Sequence, residues 1–358
     1  MGIYYIIYVL IFGVNFIQIK NKNKNRIIFF ILFVFAALRY NIGWDYPQYY
    51  ILGTKFNYLK NINTVNDWMS YYFYLRLEPI NKILYKIVWF FEEPQLIIVL
   101  YAMITLIFIK KGIENIKSDY IVYIWLLYYT FPIFYLLDLN YMRQGVSVSI
   151  IFYAVKYLPK NKLKYIFLVI VASLFHKTAL IMLLLTVLSK INISRVIWTI
   201  IFLGSFISTN LIILLIKSLT IFKYYYIYLK AGAISNGGEK IYYLVIILNI
   251  LLIIFYRQIK NNLIKNTLLF GCFLYLSLGK LGHIGYRTGM YYLIFTLYLI
   301  DPIINKIKEK KIVLLILNVC FLVFLTIILF LDAKNPVKQQ YVPYKTIFTN
   351  CRKDLKFN

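Results

Sequence analysis

The run Arg39-Tyr-Asn-Ile-Gly-Trp-Asp45 sets a guanidinium and a carboxylate at the end of the apolar stretch Ile27–Leu38. Further polar groups stand where other apolar runs begin or end: Glu78, Arg143-Gln144, His176-Lys177 and Arg287. An ionisable group beside lipid is costly, so such residues usually face a cavity or a partner and mark a functional site. A guanidinium matches phosphate oxygens, which makes Arg39, Arg143 and Arg287 candidate ligands of an anionic group. Asp45, Glu78 and His176 are candidate proton acceptors, His176 because imidazole titrates near neutrality. Gln144 and Tyr49 are candidates to hydrogen-bond a polar substrate.

Each residue also has a plainer reading. Arg39 can snorkel from a helix end while Asp45 caps a turn after Gly43. Glu78 can be a helix N-cap. Arg143 can pair with Asp138, and Gly145 with Ser149 forms a small-xxx-small pair that lets another helix approach. His176 can be a hydrogen-bonded structural residue. Lys280, His283 and Arg287 lie in a glycine-rich stretch that reads as an irregular loop. If it is helical instead, His283 and Arg287 share a face. Two histidines exclude a His-rich metal site, and no metal ligands are assigned; carboxylate binding of Mg²⁺ stays open.

The elements that must position these residues follow from composition. The chain has 358 residues, is 62% hydrophobic and has a mean hydropathy of +0.72, which predicts an all-α, polytopic integral membrane protein. The apolar runs do not alternate every second residue, so a barrel is excluded. About twelve segments are predicted, at 3–18, 27–38, 95–109, 120–137, 143–158, 165–175, 178–189, 196–216, 241–256, 266–279, 289–304 and 312–331. Residues 1–331 read as one transmembrane domain and 332–358 as a polar outer tail. The net charge of +27 is spread over many short loops and forms no single stripe, which excludes nucleic acid and fits anionic lipid headgroups. Cys272, Cys320 and Cys351 fit no metal spacing, and the first two read as packing residues. Met1–Ile19 lacks a basic n-region and a cleavage site, so it is expected to be an uncleaved helix.

Loop charge sets the orientation. The basic loops 20–26, 110–119, 159–164, 190–195, 257–265 and 305–311 are placed inside, and the longer, acid-bearing loops outside. That parity favours two short helices within 165–189, with Phe175-His176-Lys177 at an outward tip. In the large outer loop 39–94, Ile80, Ile83, Leu84, Ile87, Val88 and Phe91 form one face of an amphipathic helix over 79–91. Asn81, Lys82, Tyr85 and Lys86 are expected on its opposite, polar face. A second outer loop, 217–240, carries Tyr224-Tyr225-Tyr226 and a flexible Ser-Asn-Gly-Gly at 235–238. The tyrosines are mostly interfacial, and Tyr46, Tyr49, Tyr50, Tyr71, Tyr72 and Tyr74 could stack on sugar rings.

The ordered set Arg39–Asp45 with Tyr49, Glu78-Pro79, Asn140-Tyr-Met-Arg143-Gln144, Ala172-Ser-Leu-Phe-His176-Lys-Thr-Ala-Leu, Arg287 and Tyr341-Val-Pro-Tyr344-Lys resembles the EpsG-like family of bacterial polysaccharide proteins, related in role to Wzy-type polymerases. The resemblance implies a glycosyltransferase of the bacterial cytoplasmic membrane with an outward-facing site. Its substrates would be oligosaccharide repeat units on undecaprenyl diphosphate, for capsule, exopolysaccharide or O-antigen. The lipid diphosphate is itself the activated leaving group, so no cofactor is expected and direct inverting displacement is the simplest mechanism. Partners would be the bilayer, the lipid-linked glycan and other polysaccharide-assembly proteins. Two alternatives remain: a transporter of the same lipid-linked glycan or of a smaller solute, using the same cationic residues, and a glycan-modifying acyltransferase using His176.

Overall fold

In the computed structural model, every predicted apolar segment is helical. The structure describes residues 1–54, 72–218, 239–279, 283–335 and 340–348. The readings made on Tyr71, Tyr224–Tyr226, the stretch 235–238, Lys280 and Cys351 fall outside them.

The helices in chain order are α1 Gly2–Gly13, α2 Asn21–Leu38, α3 Tyr46–Thr54, α4 Pro79–Phe90, α5 Gln95–Ile116, α6 Ile121–Thr130, α7 Tyr135–Asn140 and α8 Met142–Ala154. They continue with α9 Lys162–Ser173, α10 Leu185–Leu188, α11 Arg195–Ser218, α12 Glu239–Ile254, α13 Asn262–Leu278, α14 His283–Leu293, α15 Ile300–Lys306 and α16 Lys310–Ala333. Among the described residues there is no sheet, only an isolated antiparallel bridge between Arg39 and Thr346.

Length and hydropathy qualify α5 and α16 as membrane spans, with mean hydropathies of 2.2 and 3.2. Several shorter helices are also apolar, including α1, α6 and α13. Many helices leave large apolar side chains outward: Ile200 is 63% exposed on α11 and Leu315 64% on α16. A helix that is apolar on its outer face as well as its inner one needs lipid as solvent. Cys272 is fully buried, whereas Cys320 is exposed on α16, so only the first serves internal packing.

The helices fall into two units. The first comprises Met1–Lys156, Phe167–Ala179 and Ile303–Asn358, and the second Tyr157–Ile166 and Leu180–Pro302. In the first unit, α5 packs against α2 and α8. Ile28, Leu32, Phe35 and Ala36 recur on one face of α2 and are buried there. Tyr4, Tyr8 and Ile11 do the same for α1, which packs on α6. In the second unit, α13 and α14 pack closely. A Cβ on Gly289 would stand 2.5 Å from the Tyr275 ring, so this crossing requires glycine. Helix α14 begins at His283, so the part of the glycine-rich stretch from His283 to Arg287 is helical rather than an irregular loop.

Two sequence expectations change in form. Segment 120–137 is two helices, because Phe131-Pro132 ends α6 and α7 begins at Tyr135. Helix α4 forms where expected, yet its inward face is Asn81, Leu84, Tyr85 and Val88, packed toward α3 and α5. Ile83, Ile87 and Phe90 point outward instead. The inner polar residues have buried partners to meet, so the helix is turned relative to a simple polar-out reading. Segment 165–189 is two pieces as expected: α9 ends at Ser173, and a 3₁₀ helix runs Lys177–Leu184.

The tail returns to the first unit. Tyr40 N–H donates to Lys345 O, Ile347 N–H to Leu38 O, and Gly43 N–H to Gln340 O. Asp332 at the end of α16 accepts from the backbone N–H groups of Gln340, Tyr341 and Val342 at 2.7, 2.7 and 3.0 Å. Tyr344 stacks on Phe35 with centroids 4.4 Å apart.

Candidate functional site

Helix α4 begins at Glu78-Pro79, where proline suits a first helical position. Glu78 stands at the N-cap, but its carboxylate does not cap the helix. Oε2 accepts from Arg143 Nη1 at 2.7 Å and from Asn81 Nδ2 at 3.0 Å. Oε1 accepts from Lys177 N–H at 3.4 Å. The plain capping reading of Glu78 is thus replaced by an ion pair linking α4, α8 and the break after α9.

Arg143 opens α8. Its Nε donates to the Tyr49 hydroxyl of α3 at 3.2 Å, and its guanidinium carbon lies 5.3 Å from the Phe73 ring centroid. The Glu78 side chain is 7% exposed and that of Arg143 19%. A charge-assisted pair held this far from water is strong and geometrically defined, and the Arg143 side chain remains partly exposed. Burial raises the Tyr49 hydroxyl above its ordinary pKa; Arg143 opposes this and the Asp45 carboxylate adds to it. Asp45 is half-buried and its carbonyl accepts from Tyr49 N–H at 3.2 Å.

Asn81 holds the arrangement together, a role the sequence did not announce. It is fully buried. Its Nδ2 donates to Phe175 O at 2.8 Å as well as to Glu78, and its Oδ1 accepts from Tyr101 OH at 2.9 Å. Ile80 N–H adds a bond to Leu174 O. Residues Leu174–Lys177 are therefore pinned to the start of α4. His176 sits in this break, 9% exposed, with Nδ1 2.6 Å from Thr178 Oγ1.

Arg143 pairs with Glu78 rather than Asp138. The Asp138 Oδ2 accepts from Tyr128 OH at 2.7 Å. A Cβ on Gly145 would lie 2.8 Å from Asp138 Oδ1. Gly145 thus makes room for the Asp138 carboxyl of the neighbouring short helix α7. Ser147 adds a contact with a further helix, its hydroxyl donating to Ala172 O of α9 at 2.9 Å. Burial pushes the Asp138 carboxyl, in the connection between α6 and α8, up to about 7.

Arg39 is buried at 1% exposure. Its Nη groups donate to Ala36 O at 3.1 Å, Leu139 O at 3.2 Å and Met142 Sδ at 3.2 Å. The 39–45 run is folded onto the Asn140–Gln144 run. Gly43 has φ +101, and a Cβ there would meet Asn140 Oδ1 at 2.9 Å. Asn140 accepts from Trp44 N–H and donates to the Gln340 and Tyr341 side chains. Two short motifs and the tail therefore form one folded unit around Asn140. Gln144 is buried on α8. Arg287 is half-buried on α14, in the second unit.

Five of the residues singled out from sequence thus share one neighbourhood in the first unit: Asp45, Tyr49, Glu78, Arg143 and His176. Among the described residues no group of His, Cys, Asp and Glu has a metal-ligand arrangement.

No curated protein and no solved structure matches the chain. The EpsG family model matches residues 23–346, from the start of α2 to the returning tail, and so includes every residue of this neighbourhood. An alignment over nearly the whole length places this chain in the EpsG family.

Proposed function

We propose that this chain joins oligosaccharide repeat units carried on a polyprenyl diphosphate, such as undecaprenyl diphosphate, at the outer face of the bacterial cytoplasmic membrane. Family membership implies a polysaccharide polymerase-type membrane protein. The observation that carries the finer reading is the Arg143–Glu78 pair at 2.7 Å, with Arg143 keeping 19% side-chain exposure.

In this reading Arg143 turns its exposed part to the diphosphate of the donor. Preorganised cationic donors stabilise a leaving group as its charge develops. The acceptor sugar hydroxyl attacks the anomeric carbon of the donor glycan. The new C–O bond forms as the bond from that carbon to the phosphate oxygen breaks, and the hydroxyl proton passes to Glu78. Polyprenyl diphosphate departs with the bonding electron pair, and the anomeric configuration inverts. Tyr49 orients Arg143, and Asp45 and the His176 break shape the acceptor side. Arg39 acts by holding the 39–45 run. Arg287 is a candidate anion ligand of the second unit.

The test is reconstituted protein given lipid-linked repeat units, with products resolved as a ladder. Arg143→Ala is expected to leave single lipid-linked units and no polymer. Wild-type ladder length in that variant would overturn the reading. Passage of lipid-linked units across sealed vesicles, with no ladder, would favour a transporter.

A further inference from the structure

A cavity of about 170 Å³ in the first unit is lined by Tyr40, Tyr50, Glu93, Gln95 and Ile347. An apolar cavity of roughly 150 Å³ holds one benzene ring, so this space takes a single six-membered ring. Its walls are of three kinds. Tyr40 and Tyr50 meet nearly at right angles, with centroids 6.0 Å apart and planes at 82°. Tyr46 stacks on Tyr50 at 5.9 Å and 17°, which stiffens the aromatic corner. Glu93 supplies a carboxylate whose Oε1 accepts from Gln95 N–H at 3.3 Å.

Gln95 is fixed in place. Its Oε1 accepts from Tyr46 OH at 2.6 Å, and its Nε2 donates to Ala37 O at 2.7 Å and Arg39 O at 3.1 Å. Ile347 comes from the returning tail, held by its N–H bond to Leu38 O. Preformed aromatic and carboxylate surfaces facing a ring-sized space suit a ligand with one apolar face and hydroxyls at its edge. A carboxylate accepts from hydroxyls through several lone pairs. It repels a second anion, so an acidic or phosphorylated sugar is disfavoured.

We propose that this cavity is a carbohydrate subsite that takes one neutral or aminated pyranose ring. As a glycan subsite it rests on the polymerase reading and extends it. Helix α3 links the two places: Tyr46 and Tyr50, four apart, share one face, while Tyr49 of the same helix meets Arg143. A glycan held near Arg143 would thus have a second contact point on the same helix.

The test uses purified full-length protein in nanodiscs with methyl glucoside, N-acetylglucosamine and glucuronic acid as probes, read by saturation-transfer NMR. Ile347→Trp fills the cavity from an exposed position, since Ile347 is 38% exposed. Glu93→Gln keeps the shape and removes the charge. The neutral probes are expected to receive saturation in wild type, and to bind roughly tenfold more weakly when the pocket is filled by Ile347→Trp. Glucuronic acid is expected to bind poorly and to gain in Glu93→Gln. Absence of transfer in wild type, or equal transfer in Ile347→Trp, overturns the subsite. A polymer ladder run on the same sample keeps the two readings apart. A ladder without sugar transfer overturns the subsite alone; sugar transfer without a ladder leaves the sugar site standing and overturns the polymerase.

Discussion

Arg143 Nη1 lies 2.7 Å from Glu78 Oε2, although 65 positions separate them along the chain. The pair joins the start of α8 to the start of α4, and Lys177 N–H brings the break after α9 to the same carboxylate. Two oppositely charged groups that are needed together are held together by three separate elements.

Breaking this pair is expected to cost both activity and stability. Removing one partner of a buried ion pair leaves the other charge uncompensated, at about 3–5 kcal/mol. Arg143 keeps some exposure, so Arg143→Ala should fall at the lower end of that range. Arg143→Lys retains the charge but not the forked geometry. It should fold nearly as well as wild type yet lose most polymer, as thermal unfolding and ladder length on the same preparation would reveal. A fully active Arg143→Lys would reduce the pair to a structural strut.

Asn81 is expected to act as a positioning residue. Its truncation leaves the Phe175 carbonyl and Tyr101 hydroxyl without their partner, each costing about 1–3 kcal/mol when buried. Asn81→Asp keeps the size but sets a second carboxylate beside Glu78. Elongation by this variant should recover at low pH, where the added carboxyl is protonated, while a variant with merely loosened packing would show no such recovery. A pH profile of chain elongation decides between them.

Asp138 gives a pH prediction with a definite sign. Its folded pKa, about 7, is above the ordinary 3.8, so the folded protein holds a proton that the unfolded chain releases between these values. Stability from this group is therefore full below about pH 4 and falls as pH rises toward 7. Asp138→Asn removes the titration and keeps an acceptor for Tyr128. It should raise unfolding stability at pH 8 by up to a few kcal/mol, at about 1.4 kcal/mol per pH unit between the two values. It should change little at pH 4. A variant less stable than wild type at pH 8 would contradict the assignment.

Tyr344→Ala tests the returning tail. It removes the stacking on Phe35 and the hydroxyl bond to Phe35 O. Loss of a large aromatic from a packed site costs about 3–5 kcal/mol. Because the same segment brings Ile347 to the cavity wall, sugar binding there should weaken in parallel. Thermal unfolding in nanodiscs, with the probe sugars present and absent, measures both effects.

Composition and run lengths alone determined the helical class and the position of every apolar segment. Such runs have little choice but to close their backbone hydrogen bonds within themselves beside lipid. The break at His176 and the start of α4 at Pro79 were also legible, the first from loop-charge parity along the whole chain and the second from local proline stereochemistry. What the tertiary structure decided was partnership. Glu78 read first as a cap, Arg143 also as a partner of Asp138, and Asn81 as a surface residue, because a short motif carries its side chains but not what lies opposite them. The rotation of α4 settled the matter. Its inward face is chosen by buried hydrogen-bond partners on Tyr101 and Phe175, which no periodicity within 79–91 encodes. Likewise the 39–45 run, the Asn140 run and the tail are separately weak signals. They gain meaning only when the folded chain closes them around Asn140.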